Sequence, residues 1–224
     1  MQLHDPIFLF TTAFVALFPV VNPIGDGFII NGFLKDLDEK QRKTASQKIL
    51  MNCLLIGIGS LVAGQFILQI FGLAIPAIQV GGGFLICKTG LETLSGDFIL
   101  SNKDNQKEIK QITMEELEQK LFYPLSFPIS VGGGTISVIF TLMASSTIKG
   151  SFLHTGINYL IIALAFIVML SILYVFLMQG TVLMKKLGKS GSLIINKLVA
   201  FITFCIGIQI LVKGISQIFH INVL

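Results

Sequence analysis

Phe18-Pro19-Val20-Val21-Asn22-Pro23-Ile24-Gly25-Asp26-Gly27 places two prolines and two glycines inside one apolar run. Proline removes a backbone donor and collides with the preceding turn. Glycine weakens a helix interior. A helix over 6–31 must therefore break near its middle. The same disturbance returns in Pro124-Leu125-Ser126-Phe127-Pro128-Ile129-Ser130-Val131-Gly132-Gly133-Gly134. A simple lipid anchor gains nothing from either cluster. Unwound backbone persists at membrane depth only where protein buries it or water fills a cavity beside it. Both breaks are thus expected to face the inside of a helix bundle.

Outward from these breaks, six stretches are long enough to span, a length of about 20 mostly apolar residues. They are 6–31, 49–71, 74–95, 122–148, 156–184 and 194–219. Of the 224 residues, 53% are hydrophobic and 12% charged. That is half the ~25% charge of a soluble domain, too little to cover a water-facing surface. The mean hydropathy is +0.83. The net charge of +4 could suggest nucleic acid, but the basic residues lie in short loops, so no nucleic-acid partner is expected. Loop 32–48 carries Lys35, Lys40, Arg42, Lys43 and Lys48. Loop 96–121 carries Lys103, Lys107, Lys110 and Lys120, and loop 185–197 carries Lys185, Lys186, Lys189 and Lys197. Only Lys149 lies on the opposite side. The positive-inside rule then puts the three basic loops in the cytoplasm and both termini outside. Met1-Gln2-Leu3-His4-Asp5-Pro6 has no basic region, so no cleaved leader is expected. In the connector, Thr113-Met114-Glu115-Glu116 fits a capping box.

Two ungapped alignments point to duplication. Phe18-Pro19 falls on Phe127-Pro128 and Gly25 on Gly134, an offset of 109. Gly83-Phe84 falls on Ala200-Phe201, and Gly90-Leu91-Glu92 on Gly207-Ile208-Gln209, an offset of 117. Three spans per copy is an odd number, so the second copy must be inverted, as in many secondary transporters. The expected fold is one all-α membrane domain over 1–224. It has six transmembrane helices in two inverted three-helix repeats, 1–95 and 122–224. A cytoplasmic connector, 96–121, joins them, and helices one and four are broken.

After each break a half-helix restarts, near Asp26 and near Thr135. Each N-terminus carries about half a positive charge and free N–H groups, a ready place for a carboxylate. Free carbonyls of the preceding halves could meet an ammonium or a cation. The neighbouring side chains are small, which suits a small zwitterion. Asn22, Pro23, Gly25, Asp26, Ser130, Gly132, Gly133, Gly134 and Thr135 are the candidate substrate-binding residues. Asp26 and Glu92 are the candidate coupling residues, because intramembrane acids are functional suspects. Asp26 serves equally as a helix cap, and Glu92 can pair with Lys88 four residues earlier. Gln209 can bond across helices, and Ser60 with Gly64 reads as a small-residue packing pair.

No catalytic arrangement, cofactor motif or metal-ligand spacing is discernible. Gly188-Lys189-Ser190 lacks the first glycine of a phosphate loop, since Leu183 stands there. His4, His154 and His220 lie near ends and loops. Cys53, Cys87 and Cys205 sit in apolar runs and read as buried small hydrophobes. A thiol-redox carrier is an alternative that would need cysteines at equivalent repeat positions, whereas Cys205 aligns with Lys88. A non-transporting scaffold is the other.

In three stretches the chain resembles the MarC family, also called the neutral amino acid transporter family. They are Leu17-Phe18-Pro19-Val20-Val21-Asn22-Pro23-Ile24-Gly25, the stretch from Pro124 to Ser137, and Gly81-Gly82-Gly83-Phe84-Leu85 with Gly90-Leu91-Glu92. The resemblance covers nearly the whole chain. It departs at Asp26, where the family usually has Asn, and at Gly132-Gly133-Gly134, where it usually has Gly-Pro-Gly. Both departures bear on substrate and coupling ion. The resemblance implies a multi-pass protein of the bacterial inner membrane that moves glycine, alanine or serine, with protons as the candidate coupling ion.

Overall fold

The computed structural model describes residues 5–34, 37–95, 119–148 and 150–220, with backbone alone at 180–189 and 192. The Thr113–Glu116 capping box and most of the connector lie outside the described residues.

The first expected span is two helices, α1 (Pro6–Val21) and α2 (Pro23–Phe33). Pro23 cannot supply the N–H that the Pro19 carbonyl would otherwise receive. The chain changes course at Asn22, which sits in the left-handed region at φ 43°, a conformation Asn tolerates better than most residues. Helix α3 (Glu39–Ile70) begins well before the expected residue 49. Its start was hidden in what reads as a basic loop. Asp38 accepts from the Gln41 N–H at 2.7 Å, and Gln41 Oε1 accepts from the Asp38 N–H at 3.2 Å. This reciprocal capping box nucleates the helix among the charges.

Helix α4 (Ile75–Ser95) follows. The fourth expected span is also two pieces. The first is a widened helical stretch, α5 (Leu121–Ser130), with extended backbone at Tyr123 and Phe127, and the second is α6 (Gly133–Ser146). They bend by 56°. In α5 the repeated Pro-x-Ser units, Pro124–Ser126 and Pro128–Ser130, remove two donors. The Ser126 and Ser130 hydroxyls donate to the Leu121 and Leu125 carbonyls, at 2.7 and 3.0 Å.

The backbone has helical turns throughout Phe152–Ile218, so the expected loop 185–197 is helical in its local geometry although the chain reverses direction there. Two stretches of it are long and apolar enough to span: α7 (Phe152–Gln179) and α8 (Leu193–Ile218). With Pro6–Phe33 and Glu39–Ile70 they make four candidate spans among the described residues, or five counting the bent α5–α6 pair. Helix α4 is not among them. Gly81, Gly82, Gly83, Gly90, Gln79, Lys88 and Glu92 lower its hydropathy.

Packing fixes the directions. Gly64 abuts Phe140 and Met143, and Cys53 Sγ lies 3.9 Å from the Ser126 carbonyl, so α5–α6 runs parallel to α3. Gly82 meets Ser137 and Gly134 meets Ile86, so α4 runs against α6. Gly57 meets Phe166 and Arg42 bonds the Leu177 carbonyl at 2.7 Å, so α7 runs against α3. Gly83 meets Leu211, Gly90 meets Phe204 and Gly214 meets Pro76, so α8 runs against α4. It follows that α7 and α8 run in opposite directions.

Leu9, Leu17, Ile30, Ile49, Phe166 and Leu173 are buried at the centre. Met51, Leu55, Val62, Phe66 and Ile70 on α3, with Phe152, Leu160 and Leu164 on α7, stand exposed. Water does not tolerate so broad an apolar surface; a bilayer does.

Candidate functional site

The two breaks meet. The Thr135 hydroxyl, in the first turn of α6, donates to the Val20 carbonyl at the end of α1, at 3.2 Å. The Thr203 hydroxyl on α8 lies 3.1 Å from the Pro19 carbonyl and 2.8 Å from that of Val199, and its one proton serves both. Thus the carbonyls expected to be free at the end of α1 have hydroxyl neighbours already. Around this junction lies a cavity of about 220 Å³. It is smaller than the ~300–1,000 Å³ of drug-sized sites, a fit for a small solute.

Of the candidate residues, Asn22, Asp26, Gly132, Gly133, Gly134, Thr135 and Glu92 line this cavity. Pro23, Gly25 and Ser130 do not. Gly25 is covered by its own cap: a Cβ there would stand 2.2 Å from Asn22 Nδ2. The Ser130 hydroxyl is turned away onto the Leu125 carbonyl. Thr89, Thr93 and Thr203 line the cavity as well. Nothing local in the sequence singles them out, since α4 and α8 carry no break.

The two half-helix starts are not alike, contrary to the expectation of two equivalent anion poles. In α2 the Asn22 side chain folds back, and its Oδ1 accepts from the Gly25 N–H at 3.1 Å. The cap is therefore Asn22 and not Asp26, which lies one residue too far along to reach the first N–H groups. In α6 the start at Gly132 has no side-chain cap. Asp26 is buried, and its Oδ2 has no hydrogen-bond partner. The junction therefore has one open N-terminal pole, at α6, and one carboxylate, at α2.

The remaining charges on the cavity wall neutralise each other. Lys88 Nζ lies 3.7 Å from Glu92 Oε1, with the side chains 60% and 40% exposed. Such an open pair contributes roughly 0–1 kcal/mol. Near the end of α2, Asn31 Nδ2 donates to the Gly27 and Phe176 carbonyls, at 2.7 and 2.8 Å. Arg42 donates to Asn31 Oδ1 and the Leu177 carbonyl. These bonds tie α2, α3 and α7 together at one end of the bundle.

Cys53 is buried and Cys87 half-buried, but Cys205 is exposed on the apolar surface rather than buried as expected. Cys87 Sγ points at the Phe204 carbonyl, at 3.7 Å. Among the described residues no cluster of His, Cys, Asp and Glu could hold a metal ion.

Comparison with known proteins gives the chain a family. The model of the MarC family integral membrane proteins matches residues 7–219. A UPF0056 membrane protein of Methanocaldococcus jannaschii is 26% identical over 206 residues, 92% of this chain and 95% of that protein. The UPF0056 inner membrane protein MarC of Escherichia coli O157:H7 is 27% identical over 216 residues, 93% of this chain and 94% of the relative. A UPF0056 membrane protein of Pyrococcus abyssi is 26% identical over 213 residues. No solved structure matches. The chain belongs to the MarC family of integral membrane proteins.

Proposed function

We propose that this MarC-family chain is a six-span secondary transporter for small neutral, zwitterionic solutes of the alanine, glycine and serine type. It works in the bacterial inner membrane, with both termini outside, and is not an enzyme. The observation that carries the reading is the cavity of about 220 Å³ bounded by both broken helices and by α4 and α8. Its uncapped α6 start suits a carboxylate, and Asp26, across the junction, suits an ammonium.

The contacts between α4 and α8 support an inverted repeat. At the offset of 117, Gly90 corresponds to Gly207 and Cys87 to Phe204. Gly90 packs on Phe204, and Gly207 packs on Cys87. The third contact, Cys87 with Phe204, joins a position to its own counterpart. Reciprocal contacts of this kind are what a two-fold axis between antiparallel helices produces. Alternating access would then rock one repeat against the other around the paired breaks. Lys88 and Glu92, exposed residues of the cavity wall, lie with Thr93 toward the end of α4 that leads into the basic connector. The positive-inside rule puts that end in the cytoplasm, which supports reading the cavity as facing inward.

The test is uptake of labelled alanine, glycine and serine into proteoliposomes, with and without an imposed pH gradient. Saturable uptake that rises with the gradient is expected. Gly134→Leu should abolish it in protein that still inserts, because even a Cβ at Gly134 stands 2.7 Å from Ile86 Cγ1. Vesicles containing folded protein that accumulate none of the three would refute the reading.

A further inference from the structure

Among the described residues, Asp26 is the one ionisable side chain of the cavity wall that has no ion-pair partner. The residue is 6% exposed, and Oδ2 has no hydrogen-bond donor. The one cationic side chain among the lining residues is Lys88, which faces Glu92. In its own turn the Gly25 N–H goes to Asn22 Oδ1 and the Asp26 N–H to the Asn22 carbonyl, at 2.9 Å. An unpaired buried carboxylate is costly. The ionised form would stand here at a cost that a cation bonded to it would remove.

The backbone offers such a cation less. The Val20 carbonyl accepts from Thr135, and the Pro19 carbonyl shares the Thr203 proton. We propose that Asp26 is the cation-binding group of the cavity, holding a small cation that can donate hydrogen bonds to it or be coordinated by it. Two sources supply that chemistry: the primary ammonium of the transported solute, or a monovalent metal ion that travels with it. The first source rests on the transport reading above; the site itself does not.

The site is tested on the purified full-length protein in detergent, through its unfolding temperature in chloride salts at equal ionic strength. The salts are sodium, methylammonium and, as the reference, choline, whose quaternary nitrogen has no hydrogen to donate. A saturable rise in methylammonium or sodium over choline is expected. In Asp26→Asn the apparent affinity for that cation should fall at least about tenfold, the loss of one charge-assisted hydrogen bond. Methylammonium acting alone assigns the site to the ammonium of the solute, and sodium acting alone assigns it to a coupled ion. A wild type that responds to neither, or an Asp26→Asn protein that responds as the wild type does, overturns the proposal. If Asp26→Asn fails to fold, infrared difference spectra of the wild type decide. A shift of a carboxylate stretching band between choline and the active cation supports the site, and its absence overturns it. Alanine uptake by the same wild-type preparation separates the two readings. Cation binding without uptake removes the amino acid assignment and leaves the site standing.

Discussion

Adding a single methyl group at the α4–α8 crossing tests whether this contact is as close as it looks. A Cβ at Gly83 would stand 2.6 Å from the Leu211 nitrogen and 2.8 Å from the Gly207 carbonyl oxygen. A Cβ at Gly207 would stand 2.7 Å from Cys87 N and Sγ. At Gly83 the obstacles are backbone atoms, which cannot rotate aside, so the helices must separate. Overpacking of this kind costs about 1–3 kcal/mol. Against it stands the gain in helix propensity from Gly to Ala, at most ~1 kcal/mol. Gly81, two residues away on the same helix, has nothing within 4 Å of its added Cβ. Gly81→Ala therefore receives the propensity gain without the clash. For a chain of this size 1 kcal/mol moves the midpoint by about 2–4 °C. Thermal unfolding followed by circular dichroism in detergent should place Gly83→Ala and Gly207→Ala several degrees below the wild type, with Gly81→Ala at or above it. Equal midpoints for Gly83→Ala and Gly81→Ala would refute the close crossing, and with it the reciprocal contacts that support the repeat.

Three further outcomes are expected. Thr135→Val leaves the Val20 carbonyl without its hydroxyl donor, and it should cost about 0.6–1.7 kcal/mol, the range for interhelical bonds in membranes; the same unfolding assay reads it, and an unchanged midpoint would argue against the junction between the breaks. Arg42→Ala should lower the midpoint more than Arg42→Lys, because the guanidinium reaches both Asn31 and the Leu177 carbonyl and an ammonium lacks its planar fork. In folded protein a lipid-soluble maleimide should label Cys205 and spare Cys53 until denaturation, read by mass spectrometry of peptides; early labelling of Cys53 would contradict its burial between α3 and α5.

Both breaks are legible in the sequence because their causes are local. Pro23 lacks a donor and Gly132–Gly134 lack side chains, and the backbone departs from helix within a residue or two of those positions. The Lys88–Glu92 pair is legible for the same reason, being one turn apart. The start of α3 was legible in principle, through Asp38 and Gln41, but the surrounding lysines made it read as loop. What spacing along the chain cannot carry is the partner that arrives from elsewhere. The hydroxyl on the Pro19 carbonyl belongs to Thr203, 184 residues later. Nor does spacing show that Gly83 and Gly90 of α4 lie against α8.

The difference between the two half-helix starts is the sharpest case. From sequence alone, both are N-termini of restarted helices, and both promise a place for an anion. One residue type separates them. Asn22 has a carboxamide that can turn back on Gly25, and its counterpart Val131 has none. The cap therefore closes the first pole and leaves the second open, and the first turn of α2 presents the Asp26 carboxylate instead. A pair of like poles would select an anion. On the transport reading proposed above, a pole beside a carboxylate suits a molecule that carries both charges, and the difference rests on one side-chain rotation that local sequence rules do not dictate.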